Sequence, residues 1–215
     1  MAVYDLEEQE KISELKAWWE MYGKYITGLL VVAALASIGW QAYQWYQNKQ
    51  AAEAGALYYI VQKAAEQGDA ARTKDSAGRL IEQFPRTAYA DFAALMSAHV
   101  QIAAGDTRNA RAHLEWLATQ GNNPLLRDMA RLRMATLLLE EGALKEALAQ
   151  LPAAPARGLK ARTDELRGDI LAAQGEAVLA REAYQAALAT LATQGFGAGD
   201  PLYEIITVKS EAAES

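Results

Sequence analysis

The most distinctive feature of the hydrophobic pattern is a stretch without one charged residue, from Tyr25 to Tyr46. At 1.5 Å per residue, an α-helix over this stretch is about 33 Å long, slightly more than the hydrocarbon core of a bilayer. The pattern therefore predicts a transmembrane anchor over residues 24–46. Aromatic residues at both ends support it, as in the aromatic belts of membrane helices; they are Trp18, Trp19, Tyr22, Tyr25, Trp40, Tyr43, Trp45 and Tyr46.

Two other structures fit part of this pattern. A buried helix of a water-soluble protein can be equally apolar, but Lys24 and Lys49 just outside the stretch and the clustered aromatics favour a membrane helix. A cleaved signal peptide would use the small residues of Ala34-Leu35-Ala36. Cleavage there leaves only about ten apolar residues behind a long acidic segment, which is the wrong order for a signal peptide. An uncleaved anchor is the preferred interpretation.

Residues 1–23 are acidic, and apolar residues recur within them at helical spacing. The spacing of three and four predicts a short amphipathic helix that leads into the membrane, with Gly23 as a bend. The residues that set this spacing are Ile12, Leu15, Trp19 and Tyr22. A solvated tail whose apolar stripe lies on the membrane and a helix that docks a specific partner both fit this segment.

One face of the predicted anchor is a candidate contact surface for another membrane helix. Gly28 and Gly39 are eleven residues apart and therefore point in almost the same direction, with Val32 and Leu35 between them. Small residues on such a face allow two helices to approach closely. Glycine is common in membrane helices, so an anchor without a specific contact is the alternative.

After residue 47 the chain alternates between amphipathic helical segments and isolated glycines. Gly68, Gly105, Gly142 and Gly175 recur at intervals of 37, 37 and 33 residues. This period is typical of helical-hairpin repeats. The sequence therefore predicts an all-α protein in which a single N-terminal transmembrane helix precedes a tetratricopeptide-like solenoid over residues 47–215. An irregular helical bundle with coincidental glycine spacing is the alternative.

The last repeat carries the clearest tetratricopeptide pattern. Small residues at Gly168 and Ala180 allow two antiparallel helices to approach, while Tyr184 fills the gap between them. The preceding unit repeats this pattern with Ala135, Leu138, Gly142, Ala147, Leu151 and Ala154. The unit before that is looser, with Ala98, Gly105, Ala110 and Leu114.

Local signals predict where the helices begin and end. Thr87 and Asn123 are predicted N-caps, Pro152 to Gly158 is a predicted break, and a short helix from Pro201 to Lys209 is predicted to cover the end of the stack.

Composition and motifs argue against several classes of function. The chain has no Cys, so a thiolate nucleophile or a Cys-based metal site is excluded, and its net charge of −6 argues against general binding of nucleic acids. His99 and His113 are the only histidines, without acids at ligand spacing. We find no catalytic or phosphate-binding motif and expect neither enzymatic activity nor a cofactor.

Recognition by surface is therefore the expected function, since a solenoid of helix pairs offers a groove for an extended or helical segment. The groove residues that the pattern favours are Leu95, Arg131 and Leu171. The arginines between Arg127 and Arg133 are candidates for holding an acidic group of a peptide.

Several N-terminal features resemble the YfgM-like family, the ancillary subunit of the SecYEG translocon. They are Tyr4, the acidic Glu7 to Glu10, Leu15-Lys16, Trp18-Trp19, Gly23-Lys24, Gly28 and Ile38-Gly39-Trp40. The later Leu166-Arg167-Gly168-Asp169, with Gly175, Ala180 and the segment from Pro201 to Lys209, is also similar to that family.

The resemblance implies a single-pass protein of the bacterial inner membrane, with a cytoplasmic N-terminus and a periplasmic domain. It also implies association with SecYEG and the membrane-anchored chaperone PpiD, to assist client proteins that emerge from the channel. Lysine counts near the two ends of the uncharged stretch differ little, with Lys11, Lys16 and Lys24 on its N-terminal side and Lys49 and Lys63 within a similar distance on its C-terminal side. A membrane-tethered scaffold of another envelope assembly, self-associating or not, is the alternative function.

Overall fold

The structure is a computed structural model that describes the backbone of residues 2–213 and the side chains of residues 11–213. The side chains of Tyr4 and of Glu7 to Glu10 lie outside the described residues. Within residues 2–213 the regular structure is α-helical apart from a short 3-10 helix, Arg157–Leu159, which confirms the all-α prediction. The α-helices are α1 (Ala2–Glu66), α2 (Ala70–Gln83), α3 (Ala88–Ala103), α4 (Thr107–Gln120), α5 (Pro124–Glu140), α6 (Leu144–Gln150), α7 (Lys160–Ala173), α8 (Ala177–Thr193) and α9 (Pro201–Ala212).

The chain divides into two compact units, Met1–Gln50 and Ala51–Ser215. In the first unit α1 continues through Gly23, so the predicted bend at that residue is absent. The indole of Trp19 lies against this glycine, because a Cβ at residue 23 would come within 3.0 Å of Trp19 Nε1. Glycine at this position therefore provides room for a Trp ring on the helix surface without interrupting the helix.

The second unit consists of helical hairpins that pack through three hydrophobic clusters. Residues 51–66 of α1 pack on α2 and α3 through Val61, Leu80 and Ala93. The central cluster joins α3 to α7, and the C-terminal cluster joins α7, α8 and α9 around Tyr184 and Ile206. The predicted repeat positions Ala135, Ala147 and Ala180 are all fully buried. Small side chains thus occur where paired helices approach each other.

The four predicted hairpin glycines share one turn geometry. Gly68, Gly105, Gly142 and Gly175 have φ angles of 67°, 77°, 76° and 81°, a left-handed conformation that glycine adopts without a steric penalty. In each turn the residue after the glycine donates its N–H to the carbonyl five residues earlier, at 2.8–3.0 Å. These hydrogen bonds define a Schellman motif, which ends the first helix of each pair.

Other local signals have mixed outcomes. Asn123 caps α5 by accepting the N–H of Leu125, as predicted. Thr87 precedes α3 but makes no cap hydrogen bond; its hydroxyl donates to the carbonyl of Phe84 instead. Ala154 is exposed outside the helices, because α6 ends at Gln150, just before the predicted break. The third hairpin therefore has a much shorter second helix than its neighbours.

Candidate partner-binding surfaces

The predicted contact face of the anchor is exposed along α1. Val32 and Leu35 are 63% and 64% exposed, and no atom outside the helix backbone lies within 4 Å of a Cβ built at Gly28 or Gly39. Among the described residues, one helix is long and apolar enough to cross a membrane, and its apolar window has no buried residues. A surface of this kind is unfavourable in water and suits a lipid or helical partner.

Aromatic and basic side chains are paired at both ends of the apolar stretch. Lys24 Nζ lies 5.1 Å from the centre of the Tyr25 ring, and Lys49 Nζ lies 5.8 Å from the centre of the Trp45 ring. Trp40 and Tyr43 also contact each other through their rings. Amphipathic rings and lysines are the groups that anchor helices at membrane interfaces.

The three predicted groove residues lie in different surroundings. Leu95 is partly buried against the central cluster. Arg131 pairs with Asp128 at 3.4 Å and lines a cavity of about 400 Å³ among α4, α5 and α6. Leu171 is only 8% exposed and belongs to the C-terminal cluster. Its side chain stabilises the fold and offers little surface to a partner.

A cavity that the sequence did not reveal lies among α3, α5 and the start of α7. Its volume is about 390 Å³. Its apolar wall is formed by Ile102, Met129, Leu132, Leu137 and Leu159, and its polar lining is formed by Arg133, Thr136, Glu140 and Arg162. The short α6 and the 3-10 helix that follows it place Leu159 at this wall. Because the cavity depends on this irregular connection, the repeat pattern did not predict it.

A cluster of charged groups fixes α9 to α7. Lys209 Nζ donates to Glu165 Oε1 and to Asp169 Oδ2, each at 2.9 Å, and Arg162 Nη1 donates to Glu165 Oε2 at 2.6 Å. Burial raises the pKa of Glu165, but the hydrogen bonds from Lys209 and Arg162 outweigh it and lower the pKa overall. Tyr184 Oη donates to Asp169 Oδ1 at 2.9 Å, and burial together with this bond raises its pKa. The predicted terminal helix is therefore held by charge as well as by Ile206.

Within the part of the chain whose side chains are described, neither histidine has partners suited to a metal site. His99 is exposed on α3, whereas His113 on α4 is partly buried, and burial lowers its pKa. Over the described residues no group of three or more His, Cys, Asp or Glu side chains has the geometry of a metal site. Glu141, at the C-terminal end of α5, forms an ion pair with Arg111.

Comparison with known proteins covers nearly the whole chain. Residues 16–215 match the family described as Tetratricopeptide repeat-like domain. The chain is 30% identical to the ancillary SecYEG translocon subunit of Haemophilus influenzae, over 86% of its own length and 90% of the relative. It is 30% identical to the protein of the same name from Neisseria gonorrhoeae, over 89% and 92% of the two chains. The corresponding protein of Aggregatibacter actinomycetemcomitans is 28% identical, over 86% and 90%.

Proposed function

Because the chain belongs to the tetratricopeptide repeat-like family that includes the ancillary SecYEG translocon subunits, we propose that it is an accessory subunit of the SecYEG channel in the bacterial inner membrane. One observation carries this proposal: the same chain has an exposed helical stretch without charge, residues 25–46, and a stack of helical hairpins. The helix anchors the protein in the membrane, and the hairpins provide a surface that binds polypeptides.

The proposed topology places residues 1–23 in the cytoplasm, residues 24–46 in the membrane and residues 47–215 in the periplasm. Within a similar distance of the uncharged stretch 25–46, three lysines lie on its N-terminal side and two on its C-terminal side, which gives only weak support to this orientation. The stronger support is the resemblance to a family with a cytoplasmic N-terminus and a periplasmic domain.

Within the complex, the domain assists the chaperone PpiD and client proteins as they emerge from the channel. Anchoring confines the domain to the membrane surface beside the channel, which raises its effective concentration for both. Contacts of low individual affinity are then sufficient. A non-catalytic role is consistent with the tetratricopeptide-like family and with the names of the relatives.

The anchor contacts the channel through the face formed by Gly28, Val32, Leu35 and Gly39. These residues are exposed, and the two glycines leave space for a second helix backbone. In the domain, two of the groove residues are available for a polypeptide contact, because Arg131 is accessible and Leu95 is only partly buried.

Site-specific crosslinking in cells tests this proposal. A photoreactive phenylalanine analogue at residue 35 of the full-length chain should capture a SecYEG subunit. The matched position is residue 37, which lies roughly 200° around the helix, and it should capture several-fold less. A chain that begins at Lys49 lacks this face and should no longer copurify with the channel.

Two results would count against the channel assignment. Capture of no channel subunit from any position within residues 25–46 would overturn it. Crosslinks that form only between two copies of this protein would favour the alternative of a self-associating, membrane-tethered scaffold of the cell envelope.

A further inference from the structure

The cavity among α3, α5 and α7 has the size and lining of a pocket for a large apolar side chain. Its volume of about 390 Å³ lies near the lower end of the range for ligand pockets. Five apolar side chains form most of its wall, among them Met129, whose flexible thioether adapts to ligands of different shape. Three exposed residues, Arg133, Glu140 and Arg162, form its polar rim.

The charges at this rim are not equivalent. Arg162 is already neutralised, because its guanidinium donates to Glu165 at 2.6 Å. Arg133 is exposed, and among the described residues the structure shows no carboxylate in ion-pair contact with it. Glu140 follows seven residues later on the same helix, on the same side and roughly 10 Å along the axis. The rim therefore presents a free cation at one end of the cavity and an anion at the other.

We propose that this cavity binds a segment of a polypeptide partner by enclosing one bulky apolar side chain while Arg133 pairs with a carboxylate next to it. Charge complementarity selects the carboxylate, since an arginine fork binds it in a planar, bidentate manner. The apolar wall selects the side chain through burial of its surface. This inference rests on the proposed function of the domain, which is to hold polypeptides near the channel.

The probe is a set of fluorescein-labelled hexapeptides in which Leu, Met, Phe or Trp precedes Asp, flanked by Gly and Ser. Their binding to the full-length protein in lipid nanodiscs is measured by fluorescence anisotropy. At least one peptide should bind, and replacing its apolar residue by Ala or its Asp by Asn should weaken binding about tenfold.

Variants of the protein test whether the peptides bind in this cavity. Thr136→Trp fills it and should abolish binding, whereas Thr119→Trp, on the exposed surface of α4, should not. Arg133→Glu should weaken binding about tenfold, whereas Arg86→Glu, at another exposed arginine, should leave it unchanged. Glu140→Lys should strengthen binding of the acidic peptides, an effect that loss of folding cannot produce.

The possible failures are distinguishable. No binding by any peptide, or binding unaffected by Thr136→Trp and Arg133→Glu, would overturn the inference. Binding of dodecanoate without binding of peptides would also overturn it, because the cavity would then be a lipid site. Crosslinking from residue 35 is measured on the same variants, so that loss of channel contact, which concerns the proposed function, is detected separately from loss of peptide binding.

Discussion

The ring of Tyr184 on α8 occupies the space that a side chain at Gly168 on α7 would need. Any Cβ at residue 168 would clash with this ring, so Gly168→Ala should lower the free energy of unfolding by about 1–3 kcal/mol. Thermal unfolding of the full-length protein in detergent measures this change. Gly78→Ala is the matched control, because a Cβ there meets no atom within 4 Å; it should stabilise α2 by about 0.5–1 kcal/mol. Equal stability of both variants would contradict this account.

Removal of the Lys209 ammonium should loosen α9. Lys209→Met leaves Glu165, which is 2% exposed, with Arg162 as its remaining cationic partner. Because a buried charge that loses a partner is poorly solvated, we expect a loss of about 1–3 kcal/mol and faster proteolysis in the segment before α9. Limited proteolysis followed by mass spectrometry detects this cleavage. Lys145→Met, at an exposed lysine of α6, should leave the cleavage rate unchanged.

The same cluster should make the domain sensitive to acid. The pKa of Glu165 is lowered from its ordinary 4.5, so its contribution to stability is present above pH 4.5 and is lost as the pH falls through the lowered pKa. The pKa of Lys209 is raised from 10.5, so its contribution persists below pH 10.5 and is lost above the raised value. At pH values below about 4, the midpoint temperature of unfolding should therefore decrease, and it should decrease less in Glu165→Gln. If the variant lost as much stability in acid as the unchanged protein, Glu165 would be excluded as a source of the acid sensitivity.

The loop between α4 and α5 should depend on one buried carboxylate. Asp91 is fully buried and accepts the backbone N–H groups of Asn122 and Asn123 at 3.0–3.1 Å. Asp91→Ala leaves these donors without an acceptor and should cost about 2–4 kcal/mol in urea unfolding. Asp75→Ala, at an exposed position of α2, should change stability by less than about 0.5 kcal/mol. Similar midpoints for the two variants would show that the loop does not need this acceptor.

A charge in the middle of the apolar stretch should impair membrane insertion. Leu35→Arg places a guanidinium near the centre of the predicted span, at a cost of about 3 kcal/mol. The fraction of protein that resists alkaline extraction from membranes should fall. Gln47→Arg adds the same charge just outside the predicted span and should remain in the membrane fraction. Equal retention of the two variants would argue against a span centred near residue 35.

Features set by local chemistry were predictable from the sequence. The hairpin turns were predicted because each depends on one glycine with positive φ, and the glycines recur at a fixed period. A helix long and apolar enough to cross a membrane was predicted, because the length of the stretch and its lack of charge are themselves the signal. The prediction of a bend at Gly23 was wrong, because a glycine inside a helix can also provide room for a neighbouring ring, here that of Trp19.

Features that join distant residues were not predictable in the same way. Lys209 and Glu165 are 44 residues apart, and Asp91 and Asn122 are 31 apart. Nothing in their local sequence distinguishes them from solvated charges. The groove prediction for Leu171 likewise rested on repeat position alone, and its burial follows from the packing of α8 and α9 on α7. The cavity beside Arg133 required knowledge of how α6 ends.

The shared turn geometry has an evolutionary consequence. Because the same kind of backbone joint recurs inside every hairpin, duplication or deletion of the segment between two successive joints, such as α2 together with α3, preserves the conformation at both junctions. Gene rearrangement can therefore change the number of hairpins without inventing a new connection. The length of the stack, and with it the number of sites for partners, is a property that natural selection can adjust in whole steps.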